Sequence, residues 1–281
     1  MIRVLTPNRP SSTGPQPPTQ GCALAIMAKA PRPGAVKTRL SPPLTPGQAA
    51  QLNACFLKDT AESIAVVASS SPVPAAALVA YTPVGEEPIF HRLLPDPFLL
   101  VPQRGATFGE RLLAAAADIL ACGFDSVCLI DSDSPTVPGE AYQRAADELS
   151  RPGDRVVLGP AADGGYYLIG MKRAHPAVFH QVPWSTGAVY SETRLRAHAA
   201  SIEVVDLPLW YDVDDGATLR MLEAELLVGS PPPFATLRGY PAPHTRAFLL
   251  ERDRARTTSP AEPSTGSPNP PGPDALETTL P

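Results

Sequence analysis

Aromatic residues are scarce in this 281-residue chain, at 6%, and charged residues make up only 18%. The formal net charge is −5 and no run of Lys and Arg breaks it. Binding to a phosphate backbone needs clustered cations, so no nucleic-acid partner is expected. No apolar run approaches the roughly 18 residues of a membrane span, so no membrane partner is expected. The first residues, Met1-Ile2-Arg3-Val4-Leu5, hold one basic residue and no apolar core, which does not fit a secretory leader. The four cysteines, Cys22, Cys55, Cys122 and Cys128, form no C-x-x-C pair and each sits in an apolar stretch. They read as small buried hydrophobes of a reducing compartment, the cytoplasm by default. The five histidines are scattered without metal-ligand spacing. No G-x-S-x-G or H-E-x-x-H occurs, so hydrolase readings have no support. No G-x-G-x-x-G occurs either. Lys37-Thr38 invites a P-loop reading, but Val36 stands where that motif needs its second glycine.

Proline, in contrast, is abundant: 36 residues, more than twice the usual share of about 5%. It concentrates at the ends. Residues 1–20 and 257–281 are Pro-rich with Ser and Thr, lack an apolar period and are expected to be disordered. Residues 230–256 begin Pro231-Pro232-Pro233 and end in a charged run. They are expected to form a surface appendage with a short helix. The remaining 21–229 form the expected folded domain.

Within that domain apolar runs alternate with amphipathic segments. Strands are expected at Cys22–Met27, Ala76–Tyr81, Ser126–Ile130, Arg155–Leu158, Tyr166–Met171 and Ile202–Asp206. Thr45 with Gln48, and Thr107 with Glu110, read as capping boxes opening helices to about Val67 and Ala121. Further helices are expected at Gly139–Leu149, from Ser185 or Thr186 to Ala199, and from Asp214 or Asp215 to Leu227. This alternation specifies an α/β domain with a largely parallel sheet. Ligands of such sheets bind beyond the carboxyl ends of the strands.

Five loops fall there. Ala28–Leu40 carries Lys29, Arg32, Lys37 and Arg39 with no acid, and Pro31, Pro33 and Gly34 fix its path; a rigid basic loop suits a polyphosphate. Asp131-Ser132-Asp133 is a D-x-D at the end of an apolar strand, suited to a hard divalent cation such as Mg or Mn. Asp163-Gly164-Gly165 is a turn whose glycines let a ligand approach the backbone. Pro183-Trp184-Ser185-Thr186 precedes a helix, either as an anion site or as an ordinary cap. Asp212, Asp214 and Asp215 precede the last helix, either completing a metal site with Asp133 or capping that helix.

These motifs in this order resemble a known family. Met27-Ala28-Lys29-Ala30-Pro31 with Val36-Lys37-Thr38-Arg39-Leu40, Phe108-Gly109-Glu110-Arg111, Ser132-Asp133-Ser134-Pro135, Asp163-Gly164-Gly165-Tyr166-Tyr167 and Pro183-Trp184-Ser185-Thr186 look like the bacterial radical-SAM/selenodomain-associated transferase 1 family, also labelled DUF2064. The resemblance covers roughly residues 22–227. It implies a three-layer αβα, GT-A-like fold of the nucleotide-diphospho-sugar transferases. The opening K-x-P…K-[ST]-R-L is similar to that of 2-phospholactate guanylyltransferases. By this resemblance Lys29, Pro31, Gly34, Lys37, Thr38 and Arg39 bind the nucleotide, with Lys29, Lys37 and Arg39 on its phosphates. Asp131, Asp133, Asp212 and Asp214 are the metal candidates. Gly164, Gly165, Trp184, Ser185 and Thr186 face the acceptor, and Asp163 and Lys37 are the catalytic candidates, Asp163 as general base. Two motifs depart from the family pattern: Asp131 and Ser134 replace Gly and Cys, and Asp215-Gly216 replaces Thr-Pro.

The expected activity is metal-dependent glycosyl transfer from a nucleotide-sugar to a small-molecule acceptor. The alternatives are nucleotidyl transfer from a nucleoside triphosphate to a phosphorylated acceptor, and nucleotide binding without catalysis. The oligomeric state stays open.

Overall fold

Strand β2 (Cys22–Lys29) is apolar at nearly every position because both faces are covered. Leu24 and Ile26 point into one hydrophobic cluster and Ala23 and Ala25 into another, as the period of two dictates. The computed structural model describes residues 3–5 and 21–258. Its strands are β1 (Arg3–Val4), β2, β3 (Ala75–Thr82), β4 (Leu99–Pro102), β5 (Ser126–Ile130), β6 (Arg155–Pro160), β7 (Tyr166–Met171) and β8 (Glu203–Asp206). They form one sheet in the order β1-β4-β3-β2-β5-β7-β6-β8. β7 pairs antiparallel with both β5 and β6, and every other pairing is parallel.

The helices are α1 (Pro46–Ser70), α2 (Glu87–Leu93), α3 (Phe108–Ala121), α4 (Gly139–Ser150), α5 (Val189–Ala199), α6 (Gly216–Glu223) and α7 (Pro243–Thr258). One core cluster joins the sheet to α1, α2, α4, α6 and α7 through Phe56, Phe90, Tyr142, Leu219 and Phe248. The other joins it to α3 and α5 through Leu112, Ile119 and Ala197. This is the three-layer, mostly parallel α/β arrangement that the sequence and its resemblance imply.

Local chemistry sets the helix starts. Thr45 Oγ1 accepts from Gln48 N at 3.2 Å while the Gln48 side chain accepts from Thr45 N at 2.9 Å. Thr107 and Glu110 repeat the box on α3. Asp215 caps α6 through Ala217 N and Thr218 N, so Asp215-Gly216 is a working helix start.

Three expectations need correction. Arg3–Val4 lies in the stretch expected to be disordered, yet pairs with β4 at the sheet edge; residues 6–20 and 259–281 of the expected tails lie outside the described residues. α5 begins at Val189, not at Ser185 or Thr186, because Ser185 takes a left-handed φ of 64° and breaks the helical run. Segment 230–256 is no surface appendage. Its helix α7 packs on α1, with Thr245 and Leu249 buried, and buried Asp59 of α1 caps it. The Asp59 carboxylate accepts from His244 N at 3.0 Å and Thr245 N at 2.8 Å. Asp59→Ala should therefore cost about 1–2 kcal/mol and lower the melting temperature by about 2–8 °C. A melting curve identical to wild type would show that α7 does not depend on this cap.

Candidate active site

The site lies where the carboxyl ends of β2, β5 and β6 meet the amino end of β7. Each loop is tied to its neighbours by the backbone. Asp131 N donates to Tyr167 O at 2.9 Å, joining the D-x-D loop to β7. Val213 N donates to Asp133 O at 3.0 Å, joining that loop to the segment before α6. Ala162 N donates to Trp210 O at 2.9 Å. Tyr190 N donates to Gly164 O at 2.9 Å, so the Asp163–Gly165 turn is anchored to α5. Gly164 has a φ of +90°, and a Cβ there would collide with the Gly187 carbonyl, so only glycine fits.

Lys37 stands at the centre. Its φ is 48°, the left-handed region, which turns the side chain inward from an exposed loop. Its ammonium reaches Asp133 Oδ1 at 2.9 Å, Asp214 Oδ1 at 2.7 Å and Val213 O at 2.8 Å. The side chain is 3% exposed. Burial opposes the charge, yet Asp133 and Asp214 hold the ammonium above its ordinary range. An ammonium has three donors, and all three are taken. Lys37 is thus not placed to hold a phosphate, as the resemblance implied; it ties together the loops that carry Asp133 and Asp214.

The other candidates surround this tie. Lys37, Thr38, Arg39, Lys29, Asn53, Ser132, Asp133 and Asp214 line a polar cavity of about 270 Å³. Lys29 and Arg39 are exposed; Lys29 Nζ donates to Ala35 O at 2.9 Å. Arg32 instead pairs with Glu86, away from the cavity. Pro31 and the positive-φ Gly34 shape the loop without lining either cavity. An adjoining cleft of about 500 Å³ is lined by Asp131, Asp133, Asp163, Asp212 and Asp214, by Gly165, Ser185 and Thr186, and by Phe108, Tyr166 and Trp184. Arg39, Asp133 and Asp214 line both spaces.

The carboxylates are not equivalent. Asp131 is half-buried; Oδ2 accepts from Ser134 Oγ at 2.7 Å, and the buried Oδ1 has no hydrogen-bond partner among the described residues. Burial and nearby Asp133 push its carboxyl well above the usual range. Burial, with Asp163 and Asp214 beside it, pushes Asp212 up to about 7. Asp163 is exposed, and its Oδ1 accepts from Gly165 N at 2.7 Å. The metal candidates Asp131, Asp133, Asp212 and Asp214 do not close into a compact three-ligand group. Among the described residues that closeness is found at Asp59, Glu62 and His244, between α1 and α7.

Sequence reasoning missed Asn53, a buried polar residue of α1 whose Nδ2 donates to Asp133 Oδ1 at 3.4 Å. Its signal was a polar residue on an apolar helix face. Ser185 and Thr186 do line the cleft, but they do not open a helix there. Thr186 Oγ1 only closes a turn, donating to Pro183 O and accepting from Ala188 N. Neither alternative for these residues, a helix-start anion site or an ordinary cap, is formed, since α5 begins at Val189 with Ala188 before it.

Fold and cleft together define an α/β protein with a ligand cleft at the carboxyl edge of its sheet, walled by charged loops. The family model for DUF2064, described as uncharacterized proteins conserved in bacteria, matches residues 66–186. A protein of Desulfovibrio desulfuricans G20, provisionally assigned as a nucleotide-diphospho-sugar transferase, is 30% identical; the match covers 83% of this chain and 95% of that one, with a TM-score of 0.68. The chain belongs to this DUF2064, nucleotide-diphospho-sugar transferase-like family. CMP:2-keto-3-deoxy-manno-octonic acid synthetase, solved with CTP, is 13% identical over 75% of this chain and 100% of that one, at a TM-score of 0.48. The 4-diphosphocytidyl-2C-methyl-D-erythritol synthase of Anaerococcus prevotii DSM 20548 is 11% identical over 74% and 97%, also at 0.48. No curated protein matches the chain. Among the described residues no helix is long and apolar enough to cross a membrane.

Proposed function

We propose that this protein is a glycosyltransferase that moves a sugar from a nucleotide-sugar to a small-molecule acceptor. The observation that carries the reading is the division of charge across the site. The two open cations, Lys29 and Arg39, lie on the small cavity, and Arg39 alone among basic residues also lines the cleft. Five aspartates line that cleft. At an effective dielectric near 20, two like charges about 4 Å apart repel by about 4 kcal/mol. Lys29 and Arg39 on the cavity side suit a diphosphate; on the cleft side Lys37 offsets Asp133 and Asp214, and exposed Asp163 is left to oppose a phosphorylated acceptor. Nucleotidyl transfer needs phosphate on both sides, and with Lys37 and Arg32 already paired the basic loop retains too little free charge for it.

In this reading Lys29 and Arg39 bind the donor phosphates. The acceptor hydroxyl oxygen attacks the anomeric carbon as the bond from that carbon to the diphosphate oxygen breaks. The diphosphate leaves with the electron pair, and the hydroxyl proton passes to the Asp163 carboxylate. A single displacement of this kind inverts the anomeric centre. The aspartates alone do not form a three-ligand group, so a hard divalent cation would be held by the unpartnered Asp131 Oδ1 together with oxygens of the donor phosphates. Bound there, Mg or Mn would offset the charge that develops on the leaving diphosphate.

Calorimetry with UDP-sugars, GDP-sugars and the common nucleoside triphosphates, with and without Mg or Mn, tests the reading. Metal-dependent binding of a nucleotide-sugar, tighter than any triphosphate, is the expected result. Preferential triphosphate binding would replace it with nucleotidyl transfer.

A further inference from the structure

The acidic cleft has a second wall of opposite character. Phe108 and Trp184 meet edge to face at 5.3 Å, and Tyr166 meets Trp184 edge to face at 6.4 Å. All three line the cleft together with Met27 and Leu112. This wall is built rather than incidental. Gly109 leaves the space that the indole fills, since a Cβ there would lie 2.5 Å from Trp184 Nε1. Just beyond the indole, Ser185 holds a left-handed φ of 64°. Thr186 Oγ1 donates to Pro183 O at 2.7 Å and closes the turn around Trp184. Phe108 remains 44% exposed at the start of α3. Arg111 lies over the Phe108 ring, 5.8 Å from its centroid, but it does not line the cleft.

Resting on the glycosyl-transfer reading, we infer that the acceptor is a small hydroxylated molecule without phosphate or carboxylate, which lays a flat apolar face on the Trp184–Phe108 wall. Its hydroxyl then points across the cleft to Asp163. Two independent features select this class. Asp163, exposed and in no ion pair among the described residues, disfavours an anionic group beside the acceptor hydroxyl. The aromatic wall rewards a flat hydrocarbon or aromatic face, because ring contacts bind through area and quadrupole rather than charge. A neutral or cationic acceptor satisfies both.

Phenyl β-D-glucopyranoside is a neutral probe with both a flat ring and hydroxyls, and glucose 6-phosphate is its anionic counterpart. The chain has two tryptophans. Trp210 is 1% exposed, so a change in emission on titration reports on Trp184. The phenyl glucoside should change the emission saturably, and glucose 6-phosphate should bind at least about tenfold more weakly. By calorimetry, Trp184→Ala should weaken phenyl glucoside binding about tenfold, while Trp184→Phe, which keeps a ring, should stay within about threefold of wild type. Equal or tighter binding of glucose 6-phosphate overturns the inference. So does an unchanged affinity in Trp184→Ala, or the absence of saturable binding by the phenyl glucoside. Nucleotide-sugar affinity measured on the same proteins separates the two levels. Intact donor binding beside a failed probe overturns the acceptor class alone. A wild-type protein that binds no nucleotide-sugar overturns the transfer reading beneath it.

Discussion

Asp163→Asn should lower turnover about 10³-fold, in the range that a positioned general base contributes, while nucleotide-sugar affinity stays at the wild-type value. The substitution is chosen for its geometry. Asn retains an Oδ1 able to accept the 2.7 Å bond from Gly165 N, so the turn keeps its shape. What is lost is the basic oxygen. Steady-state kinetics at saturating donor and acceptor, paired with calorimetry of donor binding, separates the two effects. Full turnover in the variant would remove Asp163 from the proton-accepting role. A parallel loss of donor affinity would mean the turn had moved.

Lys37→Met carries the other large effect, and it reaches stability as well as binding. Methionine keeps most of the apolar stem but removes the ammonium, which now lies over the Phe56 ring at 5.7 Å. It leaves Asp133 and Asp214 facing each other without a cation. Removing one partner of a fully buried pair costs about 3–5 kcal/mol. Here the aspartate side chains are 35% and 45% exposed, so water screens part of the repulsion. About 2 kcal/mol is the expected loss. In thermal denaturation that is a fall of about 4–8 °C. Nucleotide-sugar affinity should fall with it, because the D-x-D loop and the segment before α6 lose their common tie. An unchanged melting temperature together with unchanged affinity would reduce Lys37 to a loop residue.

The architecture was legible wherever the cause is local. The capping boxes at Thr45–Gln48 and Thr107–Glu110 are four-residue signals, and both close as expected. β5 runs over the residues that its apolar pattern marks. α2 and β4 escaped notice because they are short and lie among Pro83, Pro88, Pro95 and Pro97, which mask periodicity. α7 was misjudged because its anchor, Asp59, stands 185 and 186 residues before the amides that it caps. No pattern within α7 could reveal that contact.

The candidate site divides in the same way. Residue types at strand ends pointed to these loops, and most of the residues they contributed line one of two adjoining spaces, whereas Pro31, Arg32, Gly34, Gly164 and Asp215 line neither. The direction of the Lys37 ammonium was not legible, because it depends on a left-handed backbone at one residue and on two loops far along the chain. Asn53 was hidden for a similar reason: it sits mid-helix, and its reach to Asp133 exists only once α1 packs beneath the D-x-D loop.

The reversed strand β7 gives the site a particular division of labour. Seven strands deliver their carboxyl ends to this edge of the sheet, and β7 alone delivers its amino end there. The Asp163 turn therefore enters from a β-hairpin, whose tip can change in length without shifting the register of the strands beneath it. Gly164 ties this tip to α5 through the bond from Tyr190 N. The loops that follow β2 and β5 are carried on other strands, so this hairpin can be altered separately from them.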